Sequence, residues 1–161
     1  MQPKEISISY RTHSRKDSLS GQDQLLLEKA REATSNAYAP YSKFYVGVAI
    51  RTLDGDVVAG SNQENSSFPV GQCAEKVALY RLTHELGRKP VEAIAIVVSN
   101  EHQTNPASPC GSCRQILNEY RNFQEQPIRI LLGSVNSQEV IEINDVRDLL
   151  PFAFDGTFLG I

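Results

Sequence analysis

The chain has 161 residues, 40% of them apolar, and a formal net charge of −3. This length and composition suit one globular domain with a single core. Acidic and basic residues are spread along the chain, so there is no basic patch for a nucleic-acid partner. No apolar run is long enough to span a bilayer, and residues 1–16 lack the apolar core of a signal peptide, so we expect a cytoplasmic protein with no membrane partner.

The N-terminal part of the chain has weak structural signals until a first helix. Residues 4–10 alternate apolar and polar side chains, which predicts a short exposed strand or an arm, and residues 11–22 are typical of a polar connector. Apolar positions then recur at helical spacing over residues 23–37. We therefore expect residues 1–22 to form an arm or an edge strand and residues 23–161 to form the functional domain.

The middle of the chain predicts a β-hairpin, a helix and a buried strand. Residues 43–52 alternate in the β manner, and a Leu-Asp-Gly-Asp turn leads into a second strand at 57–62. A helix follows over residues 73–86 and is closed by Gly87. Residues 91–100 are a nearly continuous apolar run, which is typical of a strand covered on both faces.

The last third of the chain repeats this alternation. A proline opens a helix over residues 109–120, and strands are predicted at 128–134 and 140–145. From the first helix to the strand at 128–134 the elements follow in the order α, β, β, α, β, α, β, without an internal repeat, and the segment at 140–145 adds a fifth strand. This order predicts an α/β fold with three α/β/α layers and a mixed five-stranded sheet.

All three cysteines lie at the starts of two predicted helices, Cys73 in one and Cys110 and Cys113 in the other. An odd number of cysteines in a reducing compartment argues against a disulfide framework. Cys110 and Cys113 share one helix face, and the free N–H groups of a helix start favour the thiolates that a metal needs. Three thiolates bind zinc in a tetrahedral site and leave the fourth position for water.

Glu75 follows the first of these cysteines by two residues. Zinc lowers the pKa of bound water from about 15.7 towards about 7, and a nearby carboxylate could carry the released proton. Side chains at i and i+2 diverge on a regular helix, so this role requires Cys73 at the cap and Glu75 in the first turn. Lys76 and Arg114, each directly after a cysteine motif, are placed to donate to the sulfurs and offset their charge.

The cysteines alone leave structural and redox roles open. A structural zinc site normally closes with a fourth protein ligand. His84 is expected to face away from Cys73, three helical turns along the same helix, and His102 lies in a predicted loop. The spacing by itself does not choose between these roles and a catalytic one.

Longer motifs carry a family resemblance. Cys-Ala-Glu at 73–75 and Pro-Cys-Gly-Ser-Cys at 109–113 match the signature of zinc deaminases. Together with AYAPYSKFYVGVAI, GSNQENSSFPVGQCAEKVAL, SPCGSCRQIL and RDLLPFAF, they make the chain resemble the homotetrameric, three-cysteine cytidine deaminases. The motifs occur in order from about residue 25 to residue 154.

The resemblance implies a reaction and a cofactor. It implies Zn²⁺ bound by Cys73, Cys110 and Cys113, with Glu75 as the catalytic proton shuttle. The implied function is hydrolytic deamination of cytidine and deoxycytidine to uridine and deoxyuridine in pyrimidine salvage, by a homotetramer acting on a free nucleoside. The alternatives are a deaminase of a modified nucleoside or nucleoside antibiotic, and a catalytically silent zinc-binding protein.

The resemblance also implies substrate contacts and reveals two departures. The implied substrate-binding residues are Phe44, Asn62, Glu64, Ala74 and, from a neighbouring subunit, Phe154. The family usually has Arg where this chain has Lys76, and commonly has Tyr and Leu where it has Phe68 and Val70. Neither departure removes an implied ligand or the implied shuttle, but Lys lacks the planar fork that can serve two sulfurs.

Overall fold

The computed structural model describes residues 2–101 and 104–160. Within them no helix is both long enough and apolar enough to cross a membrane. The regular elements are β1 (Tyr10–His13), α1 (Gly21–Ala33), β2 (Tyr45–Thr52), β3 (Val57–Ser61), α2 (Ala74–Leu86), β4 (Val91–Ser99), α3 (Gly111–Phe123), β5 (Arg129–Ser134) and β6 (Val140–Ile143). The helices α2 and α3 begin one and two residues after their predicted starts, directly after Cys73 and Cys110.

The strands form one mixed sheet in the order β1-β6-β5-β4-β2-β3, in which β4 and β5 are parallel. The predicted mixed α/β fold is confirmed, but the sheet has six strands rather than five. The additional strand is β1, which pairs antiparallel with β6 from Tyr10 opposite Ile143 to His13 opposite Val140. It lies mostly in the segment predicted as a connector, because its side chains are largely exposed and leave little apolar signal.

The two faces of the sheet carry two separate cores, which gives the three predicted layers. Alternate residues of β4 point to opposite faces. Ile94 and Ile96 pack with α2 and α3, whereas Ala93, Ala95 and Val97 pack with α1. The helices α2 and α3 therefore share one layer, and α1 packs on the other face.

The arrangement of α2 and α3 brings their first residues together. Each helix connects two strands of the sheet: α2 follows β3 and leads into β4, and α3 follows β4 and leads into β5. Further along the helices, the Tyr120 hydroxyl donates to the Leu79 carbonyl at 3.0 Å and contacts the Thr83 hydroxyl. Two helix N-termini that carry cysteines are thus held side by side.

Candidate metal centre and nucleoside site

Two of the cysteines occupy the cap position directly before a helix. Cys73 precedes α2 and Cys110 precedes α3, with extended ψ angles of 151° and 166°, and neither side chain makes a cap hydrogen bond. Cys113 lies in the first turn of α3 and is buried. Because the N–H groups of a helix start favour negative charge, this placement suits thiolates turned towards a shared cation.

The three sulfur atoms of Cys73, Cys110 and Cys113 lie within 4.8 Å of one another, and those of Cys73 and Cys110 are 3.9 Å apart. Zinc with bonds of about 2.3 Å places tetrahedral sulfurs about 3.8 Å apart, so the cluster fits this ion. No fourth His, Cys, Asp or Glu joins the cluster among the described residues. His84 is exposed in the last turn of α2, and His102 lies outside the described residues.

The pKa values of the Cys73 and Cys113 thiols are shifted in opposite directions. Their hydrogen bond lowers the pKa of the Cys73 thiol to about 6, with a further contribution from the positive charge of Lys76, although burial and Glu75 oppose it. The same hydrogen bond, together with burial and the charge of Glu75, raises the pKa of the Cys113 thiol. One thiolate is therefore favoured near neutral pH, and a bound metal must displace the proton of the other.

Glu75 is the second residue of α2 and is 6% exposed. It meets the condition derived from the sequence, since Cys73 is the cap, Glu75 lies in the first turn, and both line one cavity. Burial raises the pKa of the Glu75 carboxyl, although its own N–H group, Cys113 and Lys76 act in the opposite direction. A carboxyl with a raised pKa can both accept and release a proton at physiological pH.

The cavity beside the cluster has a volume of about 740 Å³, which is in the range of small-molecule sites. Ile96 and Val98 of β4 form part of its apolar wall. Of the residues predicted for the site, the cavity brings together Phe44, Asn62, Glu64, Cys73, Ala74, Glu75 and Cys110. Among the described residues that line it, none is a Lys, Arg or His.

Asn62 and Glu64 lie on the polar side of the cavity and also bind the chain segment that carries Phe44. The Asn62 amide donates to the Phe44 carbonyl at 2.9 Å and accepts from the Val46 N–H at 2.8 Å. The hydrogen bond from the Ser42 hydroxyl holds the pKa of the Glu64 carboxyl below its usual range. Both side chains retain hydrogen-bonding capacity beyond these bonds.

Arg114 does not donate to the sulfurs as predicted. Its guanidinium donates to the Pro109 carbonyl at 2.8 Å, the Leu149 carbonyl at 3.1 Å and the Ser108 hydroxyl at 3.1 Å. Ser108 and Pro109 belong to the loop before α3, whereas Leu149 belongs to the C-terminal segment. Arg114 therefore fastens the loop that precedes the cluster.

Phe154 does not line the cavity of its own chain. Its carbonyl accepts from Gln115 at 2.8 Å, and its ring stacks on Phe158 with centroids 5.5 Å apart. Phe152, Phe154 and Phe158 are 93%, 57% and 71% exposed. Within one chain, these three rings contribute nothing to the site.

The cavity includes residues that the sequence did not single out for the site. Tyr41 and Phe68 form an edge-to-face pair at 5.8 Å, and Ser42, Gln63 and Gln72 add polar groups. The sequence does offer a pointer to Ser42, since it lies two residues before Phe44 in the motif AYAPYSKFYVGVAI. A serine beside a proline-containing turn is ordinarily a turn residue, however, and its second role is visible only in the fold.

Comparison with known proteins decides the family. Residues 20–126 match the family model described as the cytidine and deoxycytidylate deaminase zinc-binding region. The chain belongs to this deaminase family. Zinc is accordingly the cofactor of the deaminase, and the thiol cluster is the group of described residues whose chemistry fits it.

Individual relatives agree with this assignment. The deaminase is 40% identical to a cytidine deaminase of Halalkalibacterium halodurans, over 81% of this chain and 92% of the relative. It is 37% identical to a cytidine deaminase of Sporosarcina psychrophila, over 80% and 88%. A crystal structure of cytidine deaminase from Burkholderia pseudomallei superposes with a TM-score of 0.71 at 37% identity, covering 81% of this chain and 97% of that one.

Proposed function

We propose that this deaminase hydrolyses cytidine and deoxycytidine to uridine and deoxyuridine, with release of ammonia. The observation that carries the proposal is a three-thiol cluster, without a fourth protein ligand among the described residues, beside a buried carboxyl in one cavity. A closed structural site would have no use for Glu75 at that position. The relatives named cytidine deaminase supply the substrate class.

The proposed chemistry assigns proton transfer to Glu75. Cys73, Cys110 and Cys113 would hold the zinc, which would supply the Lewis acidity that makes water nucleophilic near neutral pH. Glu75 accepts a proton from the attacking water and delivers it to N3 of the cytosine ring. It then takes the second proton from the new C4 hydroxyl and gives it to the departing amine, so that water and cytidine yield uridine and ammonia.

The remaining contacts of the proposed site orient an uncharged nucleoside. We assign Asn62 and Glu64 to the sugar hydroxyls, and Phe44 and Ala74 to the base. A 5′-phosphate would lie on the sugar side, near Glu64, without a compensating cation among the described lining residues, which disfavours nucleotides. The preference for a nucleoside follows from this charge pattern.

We further propose a cytoplasmic homotetramer that acts in pyrimidine salvage. Support comes from the three-cysteine motifs and from the exposed C-terminal aromatic residues, which a neighbouring subunit could cover. In this assembly Phe154 contributes to the site of a neighbour. Residues 23–161 carry the deaminase, and residues 1–22 add an edge to it.

The test is turnover of cytidine by the wild-type protein and by Glu75→Gln. We expect the wild type to release ammonia as cytosine absorbance is lost. Glu75→Gln keeps the shape of the side chain but cannot carry a proton, so its kcat should fall at least about 100-fold. Its zinc content should remain at about one ion per chain, since three thiolates suffice to hold the metal.

Glu85→Gln is the matched control, because Glu85 lies on the same helix in an exposed pair with Arg81. It should retain wild-type turnover. Full turnover by Glu75→Gln would refute the shuttle role. A wild-type protein that loads zinc but leaves cytidine and deoxycytidine unchanged would refute the proposed function.

A further inference from the structure

The segment before β2 folds around the carboxylate of Glu64. The main-chain N–H groups of Tyr41 and Ser42 donate to one Glu64 oxygen at 2.9 and 3.3 Å. The Ser42 hydroxyl donates to the other oxygen. Three donors from two adjacent residues therefore set the direction in which this carboxylate faces the cavity.

The same Ser42 hydroxyl also binds the residue assigned to the base. It accepts from the Phe44 N–H at 3.0 Å, and the Phe44 carbonyl accepts from the Asn62 amide at 2.9 Å. The N–H and carbonyl groups of Phe44 are thus both bonded to side chains, the first to Ser42 and the second to Asn62. The Ser42 hydroxyl therefore bridges the Glu64 carboxylate and the main chain of Phe44.

The backbone between these residues adopts a conformation that needs support. Lys43 has a φ of 56°, which is uncommon for a residue with a side chain. Its N–H donates to the Ala39 carbonyl at 3.1 Å, and its carbonyl accepts from the Asn100 amide at 3.1 Å. Strained backbone of this kind persists where neighbouring contacts hold it, and it is frequent at ligand sites.

We propose that Ser42 is a positioning residue, which orients Glu64 towards the sugar and fixes its distance from Phe44. This inference rests on the proposed function, in which Glu64 binds a sugar hydroxyl. Ser42 itself touches neither the metal cluster nor the reacting atoms. Its effect on catalysis passes through Glu64.

A double-mutant cycle with Glu64 tests this role. Ser42→Ala should lower kcat/KM for cytidine by about five- to tenfold, because one hydrogen bond to the charged carboxylate is lost while two main-chain bonds remain. In the Glu64→Ala background the same change should cost less than about twofold. Ser42→Thr keeps the hydroxyl at an exposed position and should restore activity.

Ser7→Ala, an exposed serine of the N-terminal segment, is the control and should behave as wild type. Equal activity of Ser42→Ala and wild type would overturn the proposal. An undiminished penalty in the Glu64→Ala background would overturn it as well, because Ser42 would then act only on the loop. If the wild type does not turn over cytidine, the proposed function fails, and calorimetric binding of uridine in the same cycle decides the role of Ser42 separately.

Discussion

Two buried carboxylates, Glu75 and Asp23, have nearly equal exposure, 6% and 5%, but opposite pKa shifts. Burial raises the pKa of Glu75, and no arginine bonds to it to reverse that effect. Burial also acts to raise the pKa of Asp23, but hydrogen bonds from Arg129, Arg51 and Ser20 outweigh it and hold that pKa below its usual range. The hydrogen-bond donors around each carboxyl, rather than its degree of burial, therefore decide the direction of its pKa shift.

Asp23 should therefore make the fold sensitive to acid. A carboxyl whose pKa is lowered by folding contributes stability that is present above its unfolded pKa of about 3.9 and is lost as the pH falls through the folded value. The carboxylate accepts from Arg51 at 2.8 Å and from Arg129 at 3.0 Å. We expect Asp23→Asn to lower the free energy of unfolding at pH 7 by about 2–4 kcal/mol, measured by urea unfolding.

The same variant should lose less stability than the wild type between pH 5 and the acid limit of folding, about pH 2–3. Asp17→Asn is the control, because Asp17 forms an exposed pair with Arg15 at 2.9 Å and contributes little. Equal acid dependence of Asp23→Asn and wild type would contradict the assignment.

At the scale of elements, close backbone contact positions the helix that carries Cys73 and Glu75. A Cβ atom on Gly60 of β3 would lie 2.6 Å from the Ala78 nitrogen and 2.9 Å from its Cα. Both are main-chain atoms of α2, so the helix could relieve the clash only by moving away from the sheet. The absence of a side chain at Gly60 thus allows α2 to pack this closely against β3.

Gly60→Ala should consequently disturb both stability and the metal site. We expect a loss of about 1–3 kcal/mol in the free energy of unfolding and weaker zinc retention against a chelator, measured by urea unfolding and metal analysis. Gly21→Ala, at the first position of α1 with no neighbouring atom within 4 Å, should leave both unchanged. Unaltered zinc retention in Gly60→Ala would show that α2 tolerates the shift.

At the scale of the whole molecule, the C-terminal segment is hydrogen-bonded to α3, the helix that carries Cys113, and also presents exposed aromatic rings. Residues next to Cys113 hold this segment, since Arg114 donates to the Leu149 carbonyl and Gln115 to the Phe154 carbonyl. Phe154 nevertheless does not line the cavity of its own chain and is exposed. Such an anchored but exposed ring suits a contribution to another subunit.

Mixing two inactive variants tests this contribution. In the proposed tetramer, Phe154→Ala lacks the ring that a neighbour needs, and Glu75→Ala lacks the shuttle of its own site. Co-expressed subunits should regain a fraction of wild-type activity, because some sites combine Glu75 from one chain with Phe154 from another. Activity no higher than that of either variant alone would contradict the shared site.

Phe152→Ala and Phe158→Ala, combined with Glu75→Ala in the same way, distinguish the three exposed rings. The ring that reaches a neighbouring site is the one whose substitution by alanine lowers activity and for which co-expression with Glu75→Ala restores part of that activity. Sedimentation analysis of each variant reports whether the assembly itself persists.

Much of the candidate site was predictable because its chemistry depends on residue types at short spacing. Cysteines at two helix starts, and Glu75 two residues after Cys73, specify a zinc-compatible cluster with a carboxyl beside it. Periodicity located α2, α3 and the central strands, since each buries a regular apolar face. For the same reason the mixed α/β fold was predicted, apart from the pairing of the edge strand β1.

The sequence by itself thus determined which side chains could bind zinc and move protons, and which segments form the core. The tertiary structure alone decided the pairing of β1 with β6, the main-chain partners of Arg114 and the bond between Ser42 and Glu64. Each of these joins polar or exposed groups that local periodicity does not mark. Their partners are chosen by which donors and acceptors the folded chain brings within about 3 Å of each other.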